Sequence, residues 1–349
     1  MLDPKSNVVV YMEGHIDSDY GKMGMGVVRY LKNPIKGIVD SKFAGKKINE
    51  ILEFEDLNRD ILIYKNLKEV VALGAEVLIP GIAPSGGKIP EQWNSIIKEA
   101  IDSGLSIVNG LHDLLNPKWK SRIKNKKKQW IWDVRVPQFI PKIASGKAAR
   151  LKNKRVLFIG TDMAVGKMTS GLELYNDLLK KEINVGFIAT GQIGITITGK
   201  GIPLDAYKID HACGAVEQIV LEEEEKEIVI IEGQGSILHP GSSATLPLMR
   251  GSCPTHLVLC IRADKTTLRS PENIIIPDLS QFISLNESLA SVLGTFPRAK
   301  VFGICANTST LNEQKANQFI KRISNKTGII VTDPVRFGVK EISDKLIRG

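Results

Sequence analysis

Residues 156–170 read VLFIGTDMAVGKMTS. Val156–Ile159 is a wholly apolar run of the kind a buried parallel strand gives, and a glycine-bearing turn follows it. From Lys167 onward apolar side chains recur at helical spacing, at Met168, Leu172, Tyr175 and Leu179. Strand, turn and helix in that order are the setting of a phosphate-binding loop, in which backbone N–H groups and a helix N-terminus make a concave positive site for phosphate oxygens. Gly160, Thr161, Asp162, Val165, Gly166, Lys167, Met168 and Thr169 are therefore the expected phosphate-binding residues. The match to G-x-x-x-x-G-K-[ST] departs in two places: Thr161 stands where the first glycine belongs, and Met168 fills the place of the magnesium-contacting hydroxyl. Either Thr169 supplies that hydroxyl or a metal is held differently.

A second feature supports the loop. Ile228–Ile231 reads as a strand and runs into Glu232-Gly233-Gln234-Gly235-Ser236, with His239 shortly after. A carboxylate that ends an apolar strand beside a phosphate loop occupies the usual magnesium position. Between these features lies a buried strand, Val185–Ala189, expected to lead through Gln192 into a glycine-rich loop and then a helix capped by Asp205. Beyond them, His256–Ile261 ends in Arg262, followed by Asp264, Lys265 and Arg269, a group that could grip a carboxylate or simply be surface charge. Val301–Cys305 is a further strand, ending in Ala306-Asn307-Thr308.

The first part of the chain alternates short apolar runs (Val8–Tyr11, Ile35–Val39, Ile61–Tyr64, Val77–Ile79, Ser106–Val108, Ile131–Val134) with helical patterns near Met23–Leu31, Asn66–Leu73 and Glu91–Ser103. The expected fold class is α/β: a Rossmann-like N-terminal domain over residues 1–141, a linker at 142–154, and a P-loop domain over 155–349, with mostly parallel sheets. No G-x-G-x-x-G follows the first strand, so the dinucleotide signature is absent. PGIAPSGGK at 80–88 could bind an anion or be a plain turn, and His112 beside Asp113 could be an acid–base pair or structural.

Across 349 residues, 43% hydrophobic and 24% charged side chains are ordinary for globular domains. No apolar stretch reaches the roughly 18–20 residues a membrane span needs, and the N-terminus lacks a signal-peptide layout, so no membrane partner is expected and the location reads as cytoplasmic. Four cysteines show neither C-x-x-C pairing nor metal-ligand spacing. The net charge of +9 is concentrated at 118–128 (KWKSRIKNKKK), which carries seven basic side chains. With no nucleic-acid module around it, this run reads as a solvated face or an anion-attracting rim rather than a nucleic-acid site stacked by Trp119 and Trp130.

GTDMAVGKMTS, IIEGQGS and GICANT together resemble the dethiobiotin-synthetase-like branch of P-loop proteins. That resemblance implies phosphate and metal roles for Lys167 and Thr169, Asp162 and Glu232 flanking Mg²⁺, and Asn307 facing an adenine. One departure is a missing second lysine after the strand that ends Phe187-Ile188-Ala189-Thr190, which argues against carbamate phosphorylation. A broader resemblance spans nearly the whole chain. GKMGMGVVRY, GIVDSKFAGK, PGIAPSGGKIP, VNGLHD, GTDMAVGKMT, ATGQIGI, IIEGQGSILHPG and LMRGSCPTHLVLC look like a family of unknown function that pairs a Rossmann-like with a P-loop domain. Members resembling it are assigned as D-glutamate N-acetyltransferases.

The implied activity is N-acetyl transfer from acetyl-CoA, held by the P-loop, to an acidic amino acid. Such chemistry needs a base for the ammonium and donors for the oxyanion. His239 or Glu232 would be the base with Lys167 beside them, and amides of Gly233, Gln234, Gly235 and Ser236 the donors. Gln192, Arg250, Arg262 or Lys265 would hold the substrate, in a cleft between the P-loop face and the N-domain loops, and a homo-oligomer is expected. The alternatives are an ATP- and Mg²⁺-dependent enzyme activating a carboxylate, and a nucleotide-gated regulatory or chaperone protein.

Overall fold

A computed structural model describes residues 2–51, 60–84, 87–263 and 265–349. The chain divides into two compact units, Met1–Val136 with Gln192–Pro203, and Pro137–Gly191 with Leu204–Gly349. The first unit holds β1 (Val8–Tyr11), α1 (Lys22–Tyr30), β2 (Ile35–Val39), β3 (Ile63–Tyr64), α2 (Leu67–Ala72), β4 (Val77–Pro80), α3 (Trp93–Asp102), β5 (Ser106–Asn109), α4 (Leu115–Trp119) and β6 (Ile131–Asp133). Its strands pair in parallel in the order β3-β2-β1-β4-β5-β6, the Rossmann arrangement, although the glycine signature is missing. Val9, Val39, Leu78, Ile107 and Ile131 each bring one strand to a common core, and α3 covers it with Trp93, Ile97, Ala100 and Ile101. Their spacing of four, three and one puts all four side chains on a single helical face.

The second unit contains β7 (Lys154–Gly160), α5 (Lys167–Lys180), β8 (Val185–Ile188), α7 (Ile209–Leu221), β9 (Ile228–Ile231), α8 (Thr245–Ser252), β10 (His256–Arg262), α9 (Leu279–Ser291), β11 (Lys300–Asn307), α10 (Glu313–Thr327), β12 (Ile330–Thr332) and α11 (Lys340–Arg348); α6 (Gln192–Thr198) lies on the segment that packs with the first unit, against α1. Its sheet is again parallel, in the order β12-β11-β10-β7-β9-β8. β7, β8 and β9 are buried almost throughout, which is why they read as unbroken apolar runs rather than alternating ones.

Three sequence expectations change in the structure. Residues 192–198 form a helix where a glycine-rich loop was expected. Asp205 sits in a one-turn helix (Leu204–Ala206), and the N-cap position of α7 falls to Lys208, which makes no side-chain capping bond. Residues 142–154, expected as a linker, pack within the second unit: the buried Glu217 carboxylate accepts the Ser145 and Lys147 backbone N–H groups at 2.8 and 2.7 Å. In the basic run, Trp119 packs against the first unit's core and Arg122 forks onto Asp102 at 2.8 and 2.7 Å. Among the described residues, no helix is long and apolar enough to cross a membrane.

Candidate functional site

The phosphate loop lies at the carboxyl end of β7, the strand between β10 and β9. Thr161 N–H donates to the Cys260 carbonyl at 3.1 Å, tying the start of the loop to β10. Ala164 (φ 53°) and Gly166 (φ 99°) are both left-handed. Gly166 also begins α5, a position where a side chain would be strained. The loop closes on Lys167, whose ammonium donates to the Asp162 carbonyl at 2.8 Å and is 7% exposed. Burial lowers the Lys167 pKa to about 8, against the opposing pull of the Cys260 thiol and of the Asp162 and Glu232 carboxyls.

Glu232 follows β9 and is 3% exposed. Its Oε2 accepts the Thr190 and Gly191 N–H groups at 2.8 and 3.2 Å, and the Thr190 hydroxyl donates to the Glu232 carbonyl at 2.8 Å. Burial nonetheless raises its pKa to about 7, the two N–H donors and the Lys167 charge opposing the rise. The next residue must be glycine: a Cβ on Gly233 would overlap the Phe158 carbonyl oxygen and stand 2.9 Å from Lys167 Cδ. This close crossing lays the segment after Glu232 directly over the end of the P-loop strand. Thr190, absent from the expected site residues, holds Glu232 at both its carboxylate and its carbonyl. The only signal for it was its place at the end of β8.

The oxygen set fits a magnesium ion poorly. Asp162 Oδ1 accepts Met163 N–H at 2.6 Å and its Oδ2 accepts Arg269 N–H at 2.8 Å, so both oxygens are turned to the backbone. Met168, not a hydroxyl, follows Lys167, with half-buried Thr169 one residue further around the helix. Among the described residues, no group of three or more His, Cys, Asp or Glu side chains could hold a metal.

Several other expected site residues prove to be committed elsewhere. His239 Nδ1 accepts the Gly241 N–H at 3.0 Å, which leaves the proton on Nε2 to donate to the Ser270 carbonyl at 2.6 Å. With both ring nitrogens bound to backbone, His239 braces its loop and has no nitrogen to offer a substrate proton. Arg250 donates to the Leu289 carbonyl at 2.7 Å and stacks 5.6 Å over Phe296, pinning the end of α9. Ser236 N–H is given to the Ser242 hydroxyl at 3.2 Å, while Gln234 is half-buried after Gly233. Gln192 opens α6 in the first unit, with its Cγ 3.2 Å from where a Gly110 Cβ would lie. Arg262 and Asn307 end β10 and β11 as register partners, and Lys265 is exposed. Asp264 lies outside the described residues, as do Ser85 and Gly86 of the 80–88 turn.

Residues 142–343 match the family described as a domain of unknown function (DUF1611_C), P-loop domain, and residues 41–137 match its Rossmann-like partner (DUF1611_N). The chain belongs to this family. A DUF1611 family protein from Anabaena variabilis has a crystal structure that superposes with a TM-score of 0.94 at 39% identity, over 99% of this chain and 100% of that one. Two relatives carry the name D-glutamate N-acetyltransferase. One, from a Pseudoalteromonas species, is 38% identical over 276 residues, 78% of this chain and 82% of the relative. The other, from Tritonibacter scottomollicae, is 34% identical over 282 residues, 80% of this chain and 84% of the relative.

Proposed function

We propose that this DUF1611 protein is an N-acetyltransferase that takes an acidic amino acid of the D-glutamate type, with acetyl-CoA bound through the P-loop. One observation carries the reading. The loop keeps the backbone cradle and Lys167 for phosphates but has Met168 in the metal-hydroxyl position, and it abuts a carboxyl group held near neutrality at Glu232. A cradle of that kind suits holding a pyrophosphate better than cleaving one. The names of the two relatives supply the reaction class.

Acetyl-CoA would supply the acetyl thioester. In the reaction the amine nitrogen bonds to the acetyl carbonyl carbon, the carbon–sulfur bond breaks, and the thiol leaves with a proton. Glu232, poised near pH 7, would take the proton lost by the substrate ammonium, since a base works best with a pKa near the working pH. The N–H groups of Gly233, Gln234 and Gly235 would stabilise the oxyanion, because the Ser236 N–H is already given to Ser242. Glu232→Gln keeps the shape and removes the base. Acetyl transfer to D-glutamate, followed by mass spectrometry, should fall about 10²–10⁴-fold in kcat. A variant within threefold of the wild type removes Glu232 from this role.

A further inference from the structure

The carboxyl ends of β10 and β11 carry a polar pair that the proposed acetyl transfer does not use. Arg262 and Asn307 are register partners on adjacent parallel strands, so their side chains leave the same face of the sheet. The two strand ends are locked together by the Ala263 N–H, which donates to the Asn307 carbonyl at 3.0 Å. The Asn307 side-chain oxygen accepts Ser309 N–H at 3.1 Å, which fixes the amide's orientation and leaves its NH₂ as a donor. Arg262 is half-buried, and among the described residues no hydrogen bond or ion pair engages its guanidinium. Two donors side by side, one of them a cation partly withdrawn from water, suit an anionic ligand rich in acceptors.

Their distance from the P-loop narrows the choice. Gly160 pairs with Cys260, and Arg262 lies two residues further along the same strand. With strands about 4.8 Å apart and a rise of about 3.3 Å per residue, the Arg262 backbone stands roughly 8 Å from the start of the cradle. That span leaves room for a sugar between two phosphate groups. A ligand serving both places has one phosphate group in the loop and a second across a sugar. ATP carries all its phosphates in a single chain, whereas coenzyme A has a pyrophosphate on one side of its ribose and a 3′-phosphate on the other.

We infer that Arg262, with Asn307, binds the ribose 3′-phosphate of coenzyme A and so makes the P-loop site selective for coenzyme A over adenine nucleotides. The inference rests on the reading that the P-loop holds acetyl-CoA. It also gives Arg262 to the coenzyme rather than to the amino-acid carboxylates.

The test is calorimetric titration of coenzyme A, 3′-dephospho-coenzyme A and ATP–Mg²⁺ into the wild type, Arg262→Gln and Lys167→Ala. The wild type should bind coenzyme A at least tenfold more tightly than the dephospho form, as expected for a charge-assisted pair. Arg262→Gln should bring the two within about threefold by weakening coenzyme A alone. Arg262→Lys, which keeps the charge but loses the planar fork, should retain part of the preference and serves if the glutamine variant fails to fold. Equal binding of both coenzyme forms to the wild type, or equal weakening of both by Arg262→Gln, overturns the inference. If Lys167→Ala then abolishes both, the acyltransferase reading stands without it. Wild-type binding of ATP–Mg²⁺ with neither coenzyme form overturns the inference and the reading together.

Discussion

Replacing Lys167 by Met should stabilise this protein while disabling its phosphate loop. The ammonium is 7% exposed, and burial lowers its pKa from 10.5 to about 8. At about 1.4 kcal/mol per pKa step, holding it charged in the folded state costs about 3 kcal/mol at pH 7. Met is similar in volume and carries no charge, but the hydrogen bond to the Asp162 carbonyl is lost, at about 1 kcal/mol. The net gain is about 2 kcal/mol, a rise of about 4–8 °C in the melting midpoint of a unit this size. The sign with pH follows from linkage. A lysine with a lowered folded pKa binds fewer protons folded than unfolded between about pH 8 and 10.5, so wild-type stability rises through that window. The two proteins should therefore converge by about pH 10. Thermal unfolding of both at pH 7 and pH 10 reads the difference directly. A Lys167→Met protein less stable than the wild type at pH 7, or a gap that does not shrink by pH 10, refutes the reasoning.

Two further outcomes follow from the same geometry. The pH profile of kcat/KM should be a narrow bell, rising as Glu232 ionises near pH 7 and falling as Lys167 loses its proton near pH 8; a flat profile from pH 6 to 9 contradicts both assignments. Gly233→Ala should abolish acetyl-CoA binding and destabilise the second unit, since the new methyl overlaps the Phe158 carbonyl and crowds Lys167; a variant that binds and melts like the wild type disproves the close crossing.

Much of this architecture was legible because local sequence and tertiary environment agree. Val8–Tyr11 is buried on both faces over most of its length and appears as an apolar run with the observed limits, and Ile35–Val39 is marked by its buried end at Ile38 and Val39. The P-loop was legible because its glycines are demanded by local backbone geometry, as at Gly166. Segments whose fate depends on distant partners were not. The Gln192–Thr198 helix contains a glycine and five β-branched residues with weak helix preference, and it is held by packing against α1. α9 escaped notice although its cap was visible: Asp278 accepts the Ser280 and Gln281 N–H groups at 2.9 and 3.3 Å. The candidate site divides in the same way. Glu232 and Lys167 stand on strand and helix ends, where sequence reading places them. His239 and Arg250 are engaged by carbonyls some 30 to 40 residues away, at Ser270 and Leu289, and no local pattern announces that.

The central claim is that this P-loop holds acetyl-CoA rather than hydrolysing a nucleotide. Ligand-induced thermal stabilisation tests it most directly, with acetyl-CoA and ATP–Mg²⁺ compared on the wild type and Lys167→Ala. At 100 times its dissociation constant a ligand adds about 2.7 kcal/mol, well within reach of the measurement. Stabilisation by acetyl-CoA that Lys167→Ala abolishes, with ATP–Mg²⁺ inert, is the predicted result. Stabilisation by ATP–Mg²⁺ with acetyl-CoA inert contradicts the account and assigns the loop to an ATP-dependent enzyme.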